Sequence, residues 1–275
     1  MPTLLHDRTR TRLEALAASG TSSIIFHGPL GIGKFRTARE LAVTLKCRES
    51  DLIILAPSDR PSISIEQVRG LLAPLSLSLT NPGGTRMVIV DQADALTVEA
   101  QNALLKLIEE PPPATTFVLV AGQLEQLLPT VRSRCVAVYF PRFPEATLAN
   151  WLTTTHNQKP AAAARLAAAA DGIPGAALNL ATTPDAVETV LELHRQAGSV
   201  SNLHLFQRLL LAKKLIDSKS DLTTFGQLLQ ATLVSQVKDG HQPNPQQFAT
   251  LEHFRTALSA KVAPRVALEQ LMVEF

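Results

Sequence analysis

The stretch "HGPLGIGKF" (residues 27–35) carries the glycines and the lysine of a phosphate-binding loop. Gly28, Gly31 and Gly33 permit a tight turn whose backbone N–H groups can face an anion, and Lys34 stands where a helix should begin. The last residue is a phenylalanine, whereas the motif has a Ser or Thr whose hydroxyl binds Mg²⁺. The stretch therefore predicts either a nucleotide site that has lost part of its chemistry or a plain strand–turn–helix corner.

Apolar segments rich in β-branched residues alternate with helical patterns over the first 140 residues. The segments cover residues 21–28, 51–57, 85–91, 115–122 and 135–140. Such nearly continuous apolar strands are typical of a parallel sheet that is covered on both faces. Helices are predicted over residues 34–45, 65–75 and 97–109. Ser64 and Gln67 can form a capping box for the second helix, and prolines 111–113 stop the third. The alternation predicts a doubly wound α/β domain.

A change of pattern follows "PRFPEA" (141–146), after which the strand signal is lost. Residues 147–182 form an alanine-rich helical stretch with a turn at 171–175, which predicts a small helical lid; a low-complexity linker is the alternative. From Pro184 onward the pattern predicts four or five amphipathic helices. Their turns are predicted near residues 198–202, 218–221, 240–245 and 263–264. The predicted domains are residues 1–141, 142–183 and 184–275.

Composition describes a globular chain with little global charge. Of its 275 residues 45% are hydrophobic and 18% charged, and the net charge is +2, so any contact with nucleic acid must come from a local patch. No signal peptide or membrane span is evident, and we expect a cytoplasmic protein without membrane partners. Cys47 and Cys135 are too few for a four-cysteine zinc site, and both are predicted to be reduced.

The stretch "MVIVDQAD" (87–94) places Asp91 at the end of an apolar strand. P-loop ATPases hold magnesium with a carboxylate at this point, although an aspartate that simply forms a turn would look alike. Hydrolysing ATPases have a glutamate next, whereas this chain has Gln92, whose amide cannot accept the proton of water. Loss of such a general base costs on the order of 10² to 10⁴ in rate.

A longer block resembles a known family. "NALLKLIEEPPPATTFVLV" (102–120) and "LPTVRSRC" (128–135) are similar to the AAA+ clamp-loader subunits of bacteria, the group that includes the gamma/tau and delta-prime subunits of DNA polymerase III. "ISIEQVRGL" (63–71) and "APRVALEQLM" (263–272) extend the likeness. The resemblance implies an α/β P-loop AAA+ domain with a parallel five-stranded sheet, a small helical lid and an all-α collar that assembles five subunits into an open ring.

The resemblance also implies a role for Arg134, the arginine of the "SRC" motif. In this family that arginine reaches the nucleotide of a neighbouring subunit, where a guanidinium stabilises the charge on the transferred phosphoryl group. An exposed arginine that merely precedes a strand is the alternative.

Departures from the family pattern point to the delta-prime type. Phe35 replaces the magnesium hydroxyl, Gln92 the catalytic glutamate, Ala121 a polar sensor, and Gly175 the arginine of the lid. This loss implies that the chain does not hydrolyse ATP and needs no cofactor. Whether ATP or ADP still binds is open, because Lys34 and Asp91 remain. No zinc is expected, since Cys47 stands alone where the family often has a four-cysteine module.

The implied partners are the gamma/tau and delta subunits, the sliding clamp indirectly, and primer-template DNA weakly. Ser64 and Arg69 are the DNA-contact candidates, because helices of the family hold the template backbone at their N-termini. Glu66 opposes this contact, and a solvated helix start fits equally well. Three other functions remain open: an ATP-hydrolysing gamma/tau-type motor, an AAA+ relative acting on branched DNA or in DNA repair, and a scaffold without a clamp partner.

Overall fold

The computed structural model describes residues 3–275 except 59, 82, 219, 239–243 and 261. The chain divides into two compact units, Met1–Asn179 and Leu180–Phe275. The division into three domains stays a prediction. Among the described residues, none of the helices is long and apolar enough to cross a membrane.

The first unit contains a five-stranded sheet in which every pairing is parallel, as the sequence predicts. Its strands are β1 (Ser23–His27), β2 (Leu52–Leu55), β3 (Arg86–Val90), β4 (Thr115–Ala121) and β5 (Val136–Tyr139), in the spatial order β2-β3-β4-β1-β5. Every residue of β3 and β4 is buried, which explains why these segments are apolar throughout. The carboxyl ends of all five strands therefore meet at one edge, where ligands bind in open α/β sheets.

Eight helices accompany the sheet in the described part of the first unit, and a ninth begins there and continues into the second. They are α1 (Asp7–Ser19), α2 (Lys34–Thr44), α3 (Ile65–Arg69), α4 (Leu72–Leu75), α5 (Val98–Glu109), α6 (Pro129–Arg132), α7 (Glu145–His156), α8 (Pro160–Ala169) and α9 (Pro174–Thr182). One buried cluster joins Val88, Phe117 and Leu119 of the sheet to Ala100 and Leu104 of α5.

The prediction of one helix over residues 65–75 is wrong, because α3 and α4 are separated by a break at residues 70–71. Pro74 has no N–H to donate to the carbonyl of Gly70, so the helical hydrogen-bond ladder cannot run through. The predicted capping box is confirmed. The backbone N–H of Ser64 donates to Gln67 Oε1 at 2.9 Å, and that of Gln67 to Ser64 Oγ at 3.5 Å.

The secondary structure of the second unit, in its described residues, is all helical. Its further helices are α10 (Pro184–Ser199), α11 (Leu205–Asp217), α12 (Leu222–Lys238), α13 (Pro245–Ser259) and α14 (Pro264–Glu274). Phe225, Leu229 and Leu268 are fully buried in its core. The turn predicted at 198–202 overlaps the end of α10, that at 218–221 lies in its described residues between α11 and α12, and that at 263–264 coincides with the start of α14. The turn predicted at 240–245 falls mostly on residues 239–243, outside the described residues.

Candidate functional site

The glycine loop joins the carboxyl end of β1 to the first turn of α2, as the sequence predicts. Gly28, Gly31 and Gly33 have φ angles of 137°, 78° and 103°, a region that side chains disfavour. Lys34 is the first residue of α2, and Phe35, the next residue, is half-buried. The sequence thus builds the backbone of a phosphate-binding loop.

Lys34 does not extend away from this loop. Its Nζ donates to the carbonyl oxygens of Gly28 at 2.5 Å and Pro29 at 2.7 Å, and the residue is only 6% exposed. Burial lowers the pKa of Lys34 to about 8, while the nearby carboxylates of Asp94 and Asp91 act to raise it. The ammonium that would neutralise a bound phosphate is therefore satisfied by the loop itself.

The first turn of α9 lies directly on the loop. The backbone N–H of Gly175 donates to the carbonyl oxygen of Gly31 at 2.9 Å. A Cβ on Gly175 would lie 2.8 Å from that oxygen, and a Cβ on Gly31 would lie 3.1 Å from Ile173 Cγ2. Both approaches are closer than ordinary van der Waals contact, so position 175 accommodates glycine and excludes an arginine in this arrangement.

The remaining predicted nucleotide-site residues lie at the same edge of the sheet. Asp91 follows β3 and accepts a hydrogen bond from the backbone N–H of Gln92 at 3.0 Å. Burial raises the pKa of Asp91, whereas that hydrogen bond and the charge of Lys34 oppose the rise. Gln92 is exposed, and Ala121 is buried beside His27 in the β1–β4 register. The structure therefore places the predicted positions at one edge of the sheet, and a degenerate nucleotide site there stays a prediction.

Asp94, which the sequence analysis did not select, also belongs to this edge. Its Oδ2 accepts a hydrogen bond from the backbone N–H of Gly122 at 2.9 Å, directly after β4. Its charge is also the largest influence that raises the pKa of Lys34. The "DQAD" spacing contained this second carboxylate, but only the folded chain shows its partner.

Arg134 lies at the amino-terminal ends of the strands, whereas the glycine loop lies at their carboxyl ends. Arg134 precedes β5, whose Val136 pairs with Ile24 near the start of β1, whereas Gly28 follows the end of β1. At about 3.3 Å per residue, the two positions are separated along the strand by on the order of 15 to 20 Å. This separation exceeds the reach of an arginine side chain, so Arg134 cannot serve the loop of its own chain.

The guanidinium of Arg134 is held by neighbours within its own chain. Nε forms an ion pair with Glu109 Oε1 at the end of α5. Nη1 donates to the carbonyl oxygen of Thr130 at 3.0 Å and to Ser133 Oγ at 3.4 Å. The Arg134 side chain is still 40% exposed, so it is both anchored and accessible.

Gln101 positions the segment that leads to Arg134. It is 3% exposed, and its Oε1 accepts from the backbone N–H of Leu128 at 2.7 Å. Its amide donates to the carbonyls of Leu96 and Gln126, each at 3.3 Å. The sequence analysis missed Gln101 and Glu109. A polar residue on the buried face of α5 and a carboxylate at a helix C-terminus, where the dipole disfavours it, were the available signals.

The DNA-contact candidates lie on α3, which has only five residues. Ser64 serves its capping box, and a hydrogen bond from its side chain is the chief cause that lowers the pKa of Glu66. Arg69 is exposed near the other end of α3. A DNA contact through Ser64 and Arg69 stays a prediction.

The two cysteines are free and partly buried. Burial raises the pKa of Cys135 to about 12, which disfavours a reactive thiolate. Among the described residues no group of three or more His, Cys, Asp or Glu side chains could hold a metal ion.

Comparison with known proteins identifies relatives for part of the chain. Residues 48–144 match the family model described as DNA polymerase III, delta subunit. The delta' subunit of DNA polymerase III from Pseudomonas aeruginosa is 31% identical over 168 residues, which cover 53% of this chain and 51% of that protein. The delta' subunit from Escherichia coli is 40% identical over 134 residues, covering 47% and 39%. The matches thus span about half the length of these relatives or less.

The solved structures support the fold. A RuvB structure from Thermotoga maritima aligns with a TM-score of 0.53 at 14% identity, covering 94% of this chain and 78% of that one. At that identity the likeness concerns the fold alone. Together the comparisons agree with the resemblance found in the sequence: about half of the chain is similar to delta' subunits of DNA polymerase III, and the fold is similar to that of the RuvB structure.

Proposed function

We propose that this chain is a delta-prime-type clamp-loader subunit that donates Arg134 to the nucleotide site of a neighbouring ATPase subunit and does not hydrolyse ATP itself. In this role it helps to load the sliding clamp onto primed DNA. The observation that carries the proposal is the position of Arg134. Its side chain is accessible, but it lies at the opposite ends of the strands from its own glycine loop. An arginine so placed can act on a phosphoryl group only in another subunit.

The state of the chain's own loop supports the absence of hydrolysis. Lys34 is bonded to loop carbonyls and Gly175 rests on Gly31. Phe35 cannot bind magnesium, and Gln92 cannot act as a base. Each change alone weakens catalysis, and together they weaken phosphate neutralisation, metal binding and water activation.

Exposed apolar side chains on the second unit support contacts with other subunits. Phe206 on α11 is 71% exposed, and α11 and α14 carry further exposed leucines and valines. These are Leu205, Leu210, Val266 and Val273. We assign this surface to packing against the gamma/tau and delta subunits, because water-exposed aromatic and aliphatic side chains are typical of interfaces. The negative charge of Glu66 in the first turn of α3 opposes contact with DNA phosphates there.

The test is the ATPase activity of a loader complex reconstituted with gamma-type and delta subunits, clamp and primed DNA. The isolated chain should be inactive. Arg134→Ala should lower the activity of the complex by at least about 10³-fold per site that receives the arginine, while the complex still assembles. Arg12→Ala on α1 serves as the matched exposed-arginine control and should leave this rate nearly unchanged.

A gamma-type motor is the second candidate, because Lys34 and Asp91 are retained. Lys34→Ala distinguishes the two functions. If the chain is a motor, the variant should abolish its own ATPase activity and impair the complex; under our proposal it should change neither. Hydrolysis by the isolated wild-type chain, or indifference of the complex to Arg134→Ala, would overturn the proposal.

A further inference from the structure

Glu109 is the one acidic partner of Arg134 among the ion pairs of the described residues. It is the last residue of α5, where the partial negative charge of the helix end disfavours a carboxylate. The adjacent guanidinium offsets that repulsion. Glu110 follows immediately and is also exposed, yet the ion pair is made by Glu109. The contact is thus specific to one of two adjacent glutamates.

The contact uses a particular part of the guanidinium. Glu109 binds Nε, and Thr130 and Ser133 bind Nη1. An arginine presents five N–H donors in one rigid plane, so fixing Nε and Nη1 fixes the direction of the whole group. Among the hydrogen bonds and ion pairs of the described residues, those of Arg134 use Nε and Nη1, which leaves the two donors of Nη2 for an oxygen of another subunit; the side chain is 40% exposed.

We propose that Glu109 is a positioning residue for the arginine finger: it orients Arg134 before a neighbour docks, with Nη2 aimed outward at the neighbour's phosphate. This inference rests on the proposed function of Arg134. Orientation matters because a catalytic group misplaced by about 1 Å can cost about 10²-fold in rate. Glu109 is a positioning residue rather than a catalytic one, since it would act through the arginine.

The experiment compares variants of the full chain in the reconstituted complex with clamp and primed DNA. Glu109→Gln removes the charge with little change in shape, and Glu110→Gln is the matched control. Steady-state ATPase kcat and KM are measured for both, for Arg134→Ala, and for the double variant Glu109→Gln/Arg134→Ala. Glu109→Asp provides a second variant that keeps the charge but shortens its reach.

Glu109→Gln should lower kcat about tenfold with KM within about twofold, and Glu109→Asp should fall between it and wild type. Glu110→Gln should stay within about twofold of wild type. Because Glu109 acts only through Arg134, the double variant should be no slower than Arg134→Ala. A merely structural role would instead lower the activity further in the double variant.

The outcomes separate this inference from the proposed function. If Arg134→Ala lowers activity but Glu109→Gln behaves like Glu110→Gln, the positioning role of Glu109 is wrong. The proposed role of Arg134 in a neighbouring site would then still hold. A rise in kcat for Glu109→Gln would also overturn the positioning role, since the glutamate would then restrain the arginine rather than aim it. If Arg134→Ala has no effect, the proposed function itself fails.

Discussion

The backbone N–H of Gly175 donates a hydrogen bond to the carbonyl oxygen of Gly31, which seals the first turn of α9 against the glycine loop. We expect Gly175→Ala to destabilise the protein by about 1 to 2 kcal/mol, because the new Cβ would approach the Gly31 oxygen to 2.8 Å. Urea unfolding monitored by circular dichroism measures the change.

Gly198→Ala is the matched control. Gly198 lies near the end of α10, and a Cβ there would meet nothing within 4 Å. Alanine is the better helix former, so this variant should be unchanged or more stable by up to about 1 kcal/mol. If Gly175→Ala were equally harmless, the lid turn would not be tightly packed on the loop.

Nucleotide binding is expected to be absent or very weak in the isolated chain. Lys34 would have to leave two carbonyls, and the loop would have to part from Gly175, before phosphates could enter. We therefore expect about 1 mM Mg-ATP or Mg-ADP to raise the Tm by less than about 1 °C in a thermal shift assay.

A Kd near 1 µM would instead stabilise the protein by about 4 kcal/mol at that concentration and raise the Tm by several degrees. Lys34→Met controls for the source of any shift that is seen. A true phosphate site would lose the shift in this variant, whereas non-specific binding would keep it.

Gln101→Leu should destabilise the protein by about 1 to 3 kcal/mol. The substitution leaves the partly buried N–H of Leu128 without its 2.7 Å acceptor and removes the amide from two carbonyls. The free energy of unfolding in urea measures the loss. Asn102→Ala, at the adjacent exposed position, should stay within about 0.5 kcal/mol of wild type. Equal stability of both variants would contradict a bracing role for Gln101.

The sheet and the site backbone could be predicted from the sequence because their signals are local. Buried parallel strands are continuously apolar, as in β3 and β4, and the glycine loop has a fixed spacing. The break at residues 70–71 was missed because Pro74 stands inside an otherwise helical pattern. A proline interrupts a helix only where its missing N–H would have bonded a carbonyl within that helix, here the carbonyl of Gly70.

The contacts that define the candidate site could not be predicted in the same way. The return of Lys34 onto its own loop depends on a side-chain rotamer, which periodicity does not report. The pairing of Glu109 with Arg134 joins distant parts of the chain across the packing of α5 and α6. The charge pattern alone could indicate that Glu109 at a helix end needs a cationic neighbour, but it could not predict that this neighbour is Arg134.

Arg134 and the glycine loop lie at opposite ends of the strands of one sheet, so the two sides of the subunit differ. Subunits that each offer an arginine on one side and a nucleotide on the other associate head to tail, a contact that repeats until something stops it. If the contacts of Lys34 and Gly175 keep nucleotide out of the loop, a neighbour's arginine has no phosphate to reach there. Under the proposed function, such a chain would end the row of subunits, and its closed loop would limit the length of the assembly.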